Sequence, residues 1–200
     1  MYRLYEFSPS GNAYKVRLLL TQLEICFERV EIDILKGETR TPEFLAKNPN
    51  GRIPVLEIQP GLFLSESNAI LFYLSEGTQY LPGDRLERAQ LLQWLFFEQY
   101  SHEPNIATSR FWISILGKAS EYHDALKKKR ELGYAALEVM EKHLIDHTFF
   151  VGERYTIADI GLFAYTHVAH EGGFDLTRFS AIKAWLERVE AQPKHITIAQ

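Results

Sequence analysis

The 200 residues are 46% hydrophobic, 13% aromatic and 24% charged, the composition of a folded globular chain and not of a disordered one. Lys and Arg number 22 against 26 Asp and Glu, and this net charge of -4 gives no broad attraction for nucleic acid or an anionic membrane. The single cysteine, Cys26, excludes an intrachain disulfide and any CxxC redox or zinc motif. No run approaches the ~18 apolar residues of a membrane span, and the first residues lack the basic head and apolar stretch of a signal peptide, so the expected location is cytoplasmic.

Residues 2–7 alternate apolar and polar side chains as a strand does, Ser8-Pro9-Ser10-Gly11-Asn12 is a turn cluster, and residues 13–23 read as an apolar-rich helix. A second strand is expected over residues 27–34, with Cys26 just before it as a small buried hydrophobe. In the loosely ordered stretch 36–50, Thr41-Pro42-Glu43 suits the start of a short helix, with proline at its first position. Residues 53–58 and 62–64 form a hairpin across Gln59-Pro60-Gly61, and a helix follows over 66–76. The order is βαβαββα. Tyr80-Leu81-Pro82-Gly83-Asp84 then breaks the pattern, and helical periodicity runs through 86–116, 122–144, 157–170 and 182–191. The expected division is residues 1–79 as an α/β domain and 85–200 as an all-α bundle.

Three features carry chemistry. Pro54 stands where a strand begins and cannot donate to its ladder; as a cis proline it would turn the N–H and C=O of Ile53 outward, able to pair with an extended peptide. Ser65-Glu66-Ser67-Asn68 opens an apolar helix: helix-end N–H groups and the Ser67 hydroxyl suit a carboxylate, Glu66 suits an ammonium, and together they suit a zwitterionic α-amino acid. The plainer alternative is capping by Ser65 or Ser67. In the loop at residues 8–12, Ser10 and Asn12 are placed to donate to a bound thiolate, or simply to cap the helix behind them.

These features resemble the glutathione transferase superfamily over essentially the whole chain. The βαβαββα order is similar to its thioredoxin-like domain, Asn48-Pro49-Asn50-Gly51-Arg52-Ile53-Pro54-Val55-Leu56 to its loop into the cis-proline strand, and Ser65-Glu66-Ser67-Asn68-Ala69-Ile70 to its γ-glutamyl-binding helix start. Thr156-Ile157-Ala158-Asp159 resembles the capping box of its helical domain, a folding motif without chemistry. The resemblance implies glutathione as cosubstrate, with no permanently bound cofactor. It pairs Ile53, beside Pro54, with the cysteinyl part, assigns Glu66 and Ser67 to the γ-glutamyl end, lets Arg52 help with a ligand carboxylate, and leaves Ser10 or Asn12 to hydrogen-bond the sulfur. Residues 36–40 fall where many classes reach the glycine carboxylate, without a single side chain standing out.

With Phe7 before the turn and no cysteine in it, the chain resembles a serine- or asparagine-dependent bacterial-type member. The implied activity is conjugation of the glutathione thiolate to a hydrophobic electrophile held between the domains of a homodimer. Peroxide or disulfide reduction, and a non-catalytic binding module, are the alternatives. Pro104 inside a helical pattern should kink that helix about one turn earlier; the resemblance implies that this long helix faces the active-site cleft, with Tyr100, Glu103, Arg110 and Trp112 as candidates for the wall of the second-substrate pocket. His143 with His147, and His167 with His170, share helix faces but lack a third ligand in register, so no metal is expected; the run Lys127-Lys128-Lys129-Arg130 reads as a solvated helix face.

Overall fold

In the computed structural model, which describes residues 1–200, the chain forms two units, Met1–Thr78 with Pro193–Gln200, and Gln79–Gln192. The first is built on a four-stranded sheet in the order β2-β1-β3-β4. Strand β1 (Tyr2–Glu6) runs parallel to β2 (Phe27–Glu31) and antiparallel to β3 (Val55–Gln59), which pairs antiparallel with β4 (Leu62–Ser65). The parallel pair needs a crossover, supplied by helix α1 (Gly11–Gln22). Helices α2 (Pro42–Lys47) and α3 (Ser67–Ser75) complete the βαβαββα order.

Register puts Tyr5 opposite Val55 and Leu4 opposite Leu56, so successive pairs face opposite sides of the sheet. Tyr5 and Val55 cluster with Phe44 of α2, against which Val30, Ile32, Ile53 and Phe63 pack. Leu4 and Leu56 are fully buried on the other side. Ten of the twelve residues of α1 are buried, which is why its apolar residues show no single stripe. That helix also carries two charges inward. Arg17, buried, forms an ion pair with the fully buried Glu6, and its Nη2 donates to the carbonyl of Ser8 at 3.2 Å.

Thr41 caps α2 by accepting from the Phe44 amide at 3.2 Å, with Pro42 at the first helical position, as the Thr-Pro-Glu pattern implies. The hairpin turn places Gly61 at φ +81°, a conformation glycine adopts without steric cost. Cys26 is a correction: it is exposed, because it sits in the connection into β2, a sheet-edge strand that is itself only half covered. The assignment of residues up to 200 to the helical part is corrected too. Pro193–Gln200 belongs to the first unit, where Tyr14 donates to the Ile196 carbonyl at 2.7 Å, Arg17 to the Ile198 carbonyl at 2.7 Å and Arg29 to the Gln200 carbonyl. Side chains from far upstream gripping backbone carbonyls leave no periodic trace in the tail's own sequence.

The second unit is helical: α4 (Arg85–Phe97), α5 (Glu103–Arg110), α6 (His123–Leu144), α7 (Ile157–Thr166) and α8 (Ser180–Glu190). The continuous helix expected over 86–116 is interrupted by π turns at Glu98–His102 and Phe111–Ile115. The first π turn ends just before Pro104, which has no N–H to bond one turn back, and the wider turn absorbs the missing bond. All ten residues of α7 are buried, and Thr156 and Asp159 form the capping box at its start. The Asp159 carboxylate also accepts from the Phe150 amide at 3.2 Å and the Trp185 indole at 3.0 Å, while burial pushes its pKa up to about 6. No helix is long and apolar enough to cross a membrane.

Candidate functional site

The loop between β1 and α1 is closed by a bond from the Ser10 amide to the Phe7 carbonyl at 2.8 Å. Ser8 is fixed beside it: its amide and hydroxyl donate to Glu31 at 3.0 and 2.6 Å, and Arg29 donates to its Oγ at 3.1 Å. Ser10 is the N-cap of α1, its Oγ accepting from the Ala13 amide at 3.4 Å. The capping role therefore holds for Ser10, yet a hydroxyl that accepts this bond keeps its own hydrogen to donate. Asn12, half-buried in the first turn of α1, accepts from the Ser67 hydroxyl at Oδ1 across 3.3 Å.

That bond joins the start of α1 to the start of α3. The capping alternative fails at α3: its N-cap is Glu66, at φ +69°, and no side chain caps the helix. Ser67 is buried, Glu66 is exposed, and the amides of the first turn face outward from the positive end of the helix. A carboxylate suits those amides and an ammonium suits Glu66. Lys15, fully buried on α1, adds a positive charge here, its Nζ donating to Ser67 Oγ at 3.3 Å and Asn68 Oδ1 at 3.4 Å.

The Ile53–Pro54 peptide bond is cis, and the β1–β3 ladder stops at Val55, so Ile53 stands outside it. The loop before it is organised by Asn48, whose side chain donates to the Arg52 carbonyl at 2.8 Å and accepts from the Asn50 amide at 3.1 Å. Arg52 is exposed. In the segment 36–40, Lys36 pairs with Asp33 at 3.1 Å and Arg40 donates to the Asn50 carbonyl at 3.1 Å.

Within the helical unit, Tyr100 lies in the first π turn and is 89% exposed. Glu103 begins α5, half-buried. Arg110 is buried and donates to Glu171 at 2.6 Å, and Trp112 is stacked on Tyr122 with ring centroids 4.3 Å apart. His143 and His147 stack at 4.3 Å, and His147 is bonded to Glu153.

Residues 1–76 match the family pattern described as Glutathione S-transferase, N-terminal domain, and residues 95–193 match the Glutathione S-transferase, C-terminal domain. The chain belongs to the glutathione transferase superfamily. It is 32% identical over 194 residues to the Disulfide-bond oxidoreductase YfcG of Escherichia coli, covering 94% of this chain and 89% of that relative. A crystal structure of a possible glutathione S-transferase from Rhodopseudomonas palustris is 51% identical, with a TM-score of 0.98 over all of this chain and 90% of the other. A glutathione transferase from Pseudomonas putida, solved with one glutathione disulfide bound per subunit, is 27% identical with a TM-score of 0.84, covering 96% of this chain and 88% of that one. The thioredoxin-like sheet unit and the helical unit are the two domains of this superfamily.

Lys15 and Asn68, not among the candidate residues of the sequence, join Ser67 at the start of α3. The signal for Lys15 was present: a lysine within the apolar run Ala13 to Leu20, where every phase of the helix carries an apolar residue, has no solvent face to occupy.

Proposed function

We propose that the chain is a glutathione-dependent transferase that ionises the glutathione thiol and directs it at a hydrophobic electrophile. The observation that carries the reading is the hydrogen bond from Ser67 to Asn12, which joins an uncapped, positively charged helix start to a loop rich in donors within one unit. The γ-glutamyl carboxylate is assigned to the α3 start with Ser67, its ammonium to Glu66, the cysteinyl backbone to Ile53 beside Pro54, and a supporting contact to Arg52. Ser10 and Asn12 stabilise the thiolate against its reference pKa near 8.5. The thiolate attacks the electrophilic carbon, the leaving group departs with the bonding pair, and positioning with exclusion of water lowers the barrier.

Among the residues assigned to the electrophile, Tyr100 is the one most open to a ligand, whereas Arg110 and Trp112 are engaged with Glu171 and Tyr122. The working form is proposed to be a cytoplasmic homodimer.

A second reading is favoured by the relative named a disulfide-bond oxidoreductase and by the Pseudomonas putida structure with glutathione disulfide. Here the glutathione thiolate attacks one sulfur of a mixed disulfide, a new S–S bond forms and the other sulfur leaves as a thiolate, so no protein cysteine is needed. Parallel assays with a nitro-activated aryl chloride, an organic hydroperoxide and a glutathione mixed disulfide separate the readings. Conjugation at least ~10-fold above the reductase rates supports the first, and the reverse ratio overturns it. Calorimetry showing no glutathione binding would remove both. The pH profile of Ser10→Ala and Asn12→Ala identifies the sulfur ligand, since losing it moves the onset of activity upward by about one pH unit.

A further inference from the structure

We infer that Arg17 and Arg29 are positioning residues for thiol activation: together they clamp Ser8 and so fix the turn that carries Ser10. The inference rests on the glutathione reading above. The sheet brings one of them into place. In the parallel pairing of β1 with β2, Leu4 lies opposite Arg29 and Glu6 opposite Glu31, and since side chains repeat every second residue, Glu6, Arg29 and Glu31 project from the same face. Helix α1 supplies the other: Arg17 is 1% exposed and pairs with the fully buried Glu6, which Arg29 also engages through Nε.

Every polar atom of Ser8 meets this cluster. Its carbonyl accepts from Arg17 Nη2 at 3.2 Å, its hydroxyl accepts from Arg29 Nη2 at 3.1 Å and donates to Glu31 at 2.6 Å, and its amide donates to Glu31 at 3.0 Å. A guanidinium is planar, so its orientation is set once two of its nitrogens are bonded in different directions. Glu6 holds one nitrogen of each arginine, and the segment 193–200 adds a second anchor: the Ile198 carbonyl accepts from Arg17 Nη2 at 2.7 Å, and the Gln200 carbonyl accepts from Arg29 Nη1. With both planes fixed, the donors aimed at Ser8 are fixed as well. The constraint passes along the chain. The ring of Pro9 locks its φ, and the Ser10 amide donates back to the Phe7 carbonyl at 2.8 Å, so a held Ser8 leaves the Ser10 hydroxyl little room to move. Each arginine acts on the sulfur only through where Ser10 stands.

The test uses the purified full-length protein, first without glutathione and then with it and the electrophile that proves active. Ser8→Ala removes the hydroxyl between Arg29 and Glu31. Arg29→Lys keeps a charge for Glu6 but cannot reach three acceptors at once, and Arg17→Lys makes the same change from the buried side. Arg3→Met is the control, an arginine of the same sheet bonded to Glu28, Tyr5 and Glu57 and not to the turn. Without glutathione, amide exchange at Ser10 should speed up by at least ~10-fold in the three variants and stay unchanged in Arg3→Met. With glutathione, the same three should raise the apparent pKa governing kcat/KM by about half a unit, roughly threefold less activity on the acid side that recovers at alkaline pH. Ser8→Ala combined with Arg29→Lys should shift by less than the sum, because both act through one hydroxyl. Unchanged Ser10 exchange in any of the three, faster exchange with an unmoved pH profile, a fully additive double variant, or equal changes in Arg3→Met each overturn the inference. If Arg17→Lys does not fold, Ser8→Ala and Arg29→Lys decide. A wild type that binds no glutathione removes the functional reading and, with it, the role in thiol activation, while faster Ser10 exchange in the variants would still establish the clamp.

Discussion

Asp159→Ala is expected to destabilise the helical unit by about 4 kcal/mol, roughly a quarter or more of the 5–15 kcal/mol that holds a typical domain together. The carboxylate takes four donors: the Thr156 amide at 2.9 Å, the Thr156 hydroxyl at 3.1 Å, the Phe150 amide at 3.2 Å and the Trp185 indole at 3.0 Å. The hydroxyl can rotate to another acceptor, but the three N–H groups cannot, and stranding a buried donor costs about 1–3 kcal/mol. Partial relaxation brings the sum from its upper range down to about 4 kcal/mol. Asp159→Asn keeps the shape and one accepting oxygen while turning an NH2 toward two donors, and should cost about half as much. Burial raises the pKa from its ordinary 3.8 to about 6, so the native protein holds this proton more tightly than the unfolded chain. That contribution is present in full below about pH 4 and is lost as pH rises through about 6, and the slope should vanish in Asp159→Ala. Urea unfolding at pH 7.5, above that window, compares the ionised carboxylate with its absence. Tryptophan fluorescence suits the assay, because Trp94, Trp112 and Trp185 all lie in the helical unit. A loss under about 1 kcal/mol in the Ala variant, or an Asn variant as stable as wild type, would refute the claim that satisfied donors hold α7 in place.

Two further outcomes follow from local geometry. A Cβ at Gly133 on α6 would lie 2.5 Å from Phe174 Cε1, and that buried ring is held edge-on by Tyr134 at 5.3 Å, so Gly133→Val should cost about 2 kcal/mol and lower the Tm by about 6 °C; an unchanged Tm in scanning calorimetry contradicts this. The Glu153 carboxyl is held down at about 2 from its ordinary 4.5, first by the Thr148 amide and then by His147. Its contribution is present above about pH 4.5 and is lost as pH falls through about 2; being half exposed it amounts to under about 1 kcal/mol, and it should appear as Thr148 amide protection that declines with acid in wild type but is low at every pH in Glu153→Gln.

The parts of the fold that were legible in the sequence are those fixed by neighbours within a few residues. Thr156 and Asp159 lie three apart, and their reciprocal bonds need nothing else to form, although the two further donors, from Phe150 and Trp185, arrive from nine residues before and twenty-six after. Pro104 announced an interruption because a missing N–H has a local effect wherever it falls, but whether the chain answers with a bend or a π turn depends on what packs beside it. Cys26, expected to be buried among the apolar Ile25 and Phe27, is exposed because β2 lies at the sheet edge. Strand order is a property of the sheet and leaves no mark on the strand.

The candidate site divides in the same way. Glu66, Ser67 and the Ser10 loop stand out because helix starts and turns have characteristic residues, whereas what joins them has none. Lys15 meets Ser67 across 52 positions, and Arg17 meets the Ile198 carbonyl across 181. Both cations lie inside a helix whose apolar residues leave no polar face, and a buried charge persists only where oxygens come to it from elsewhere in the chain. Composition along α1 therefore requires that distant partners exist without naming them. For Arg17 they are Glu6, the Ser8 carbonyl in the loop before α1, and the Ile198 carbonyl of the returning tail. For Lys15 they are the two side chains that open α3, Ser67 and Asn68, whose oxygens accept from its Nζ.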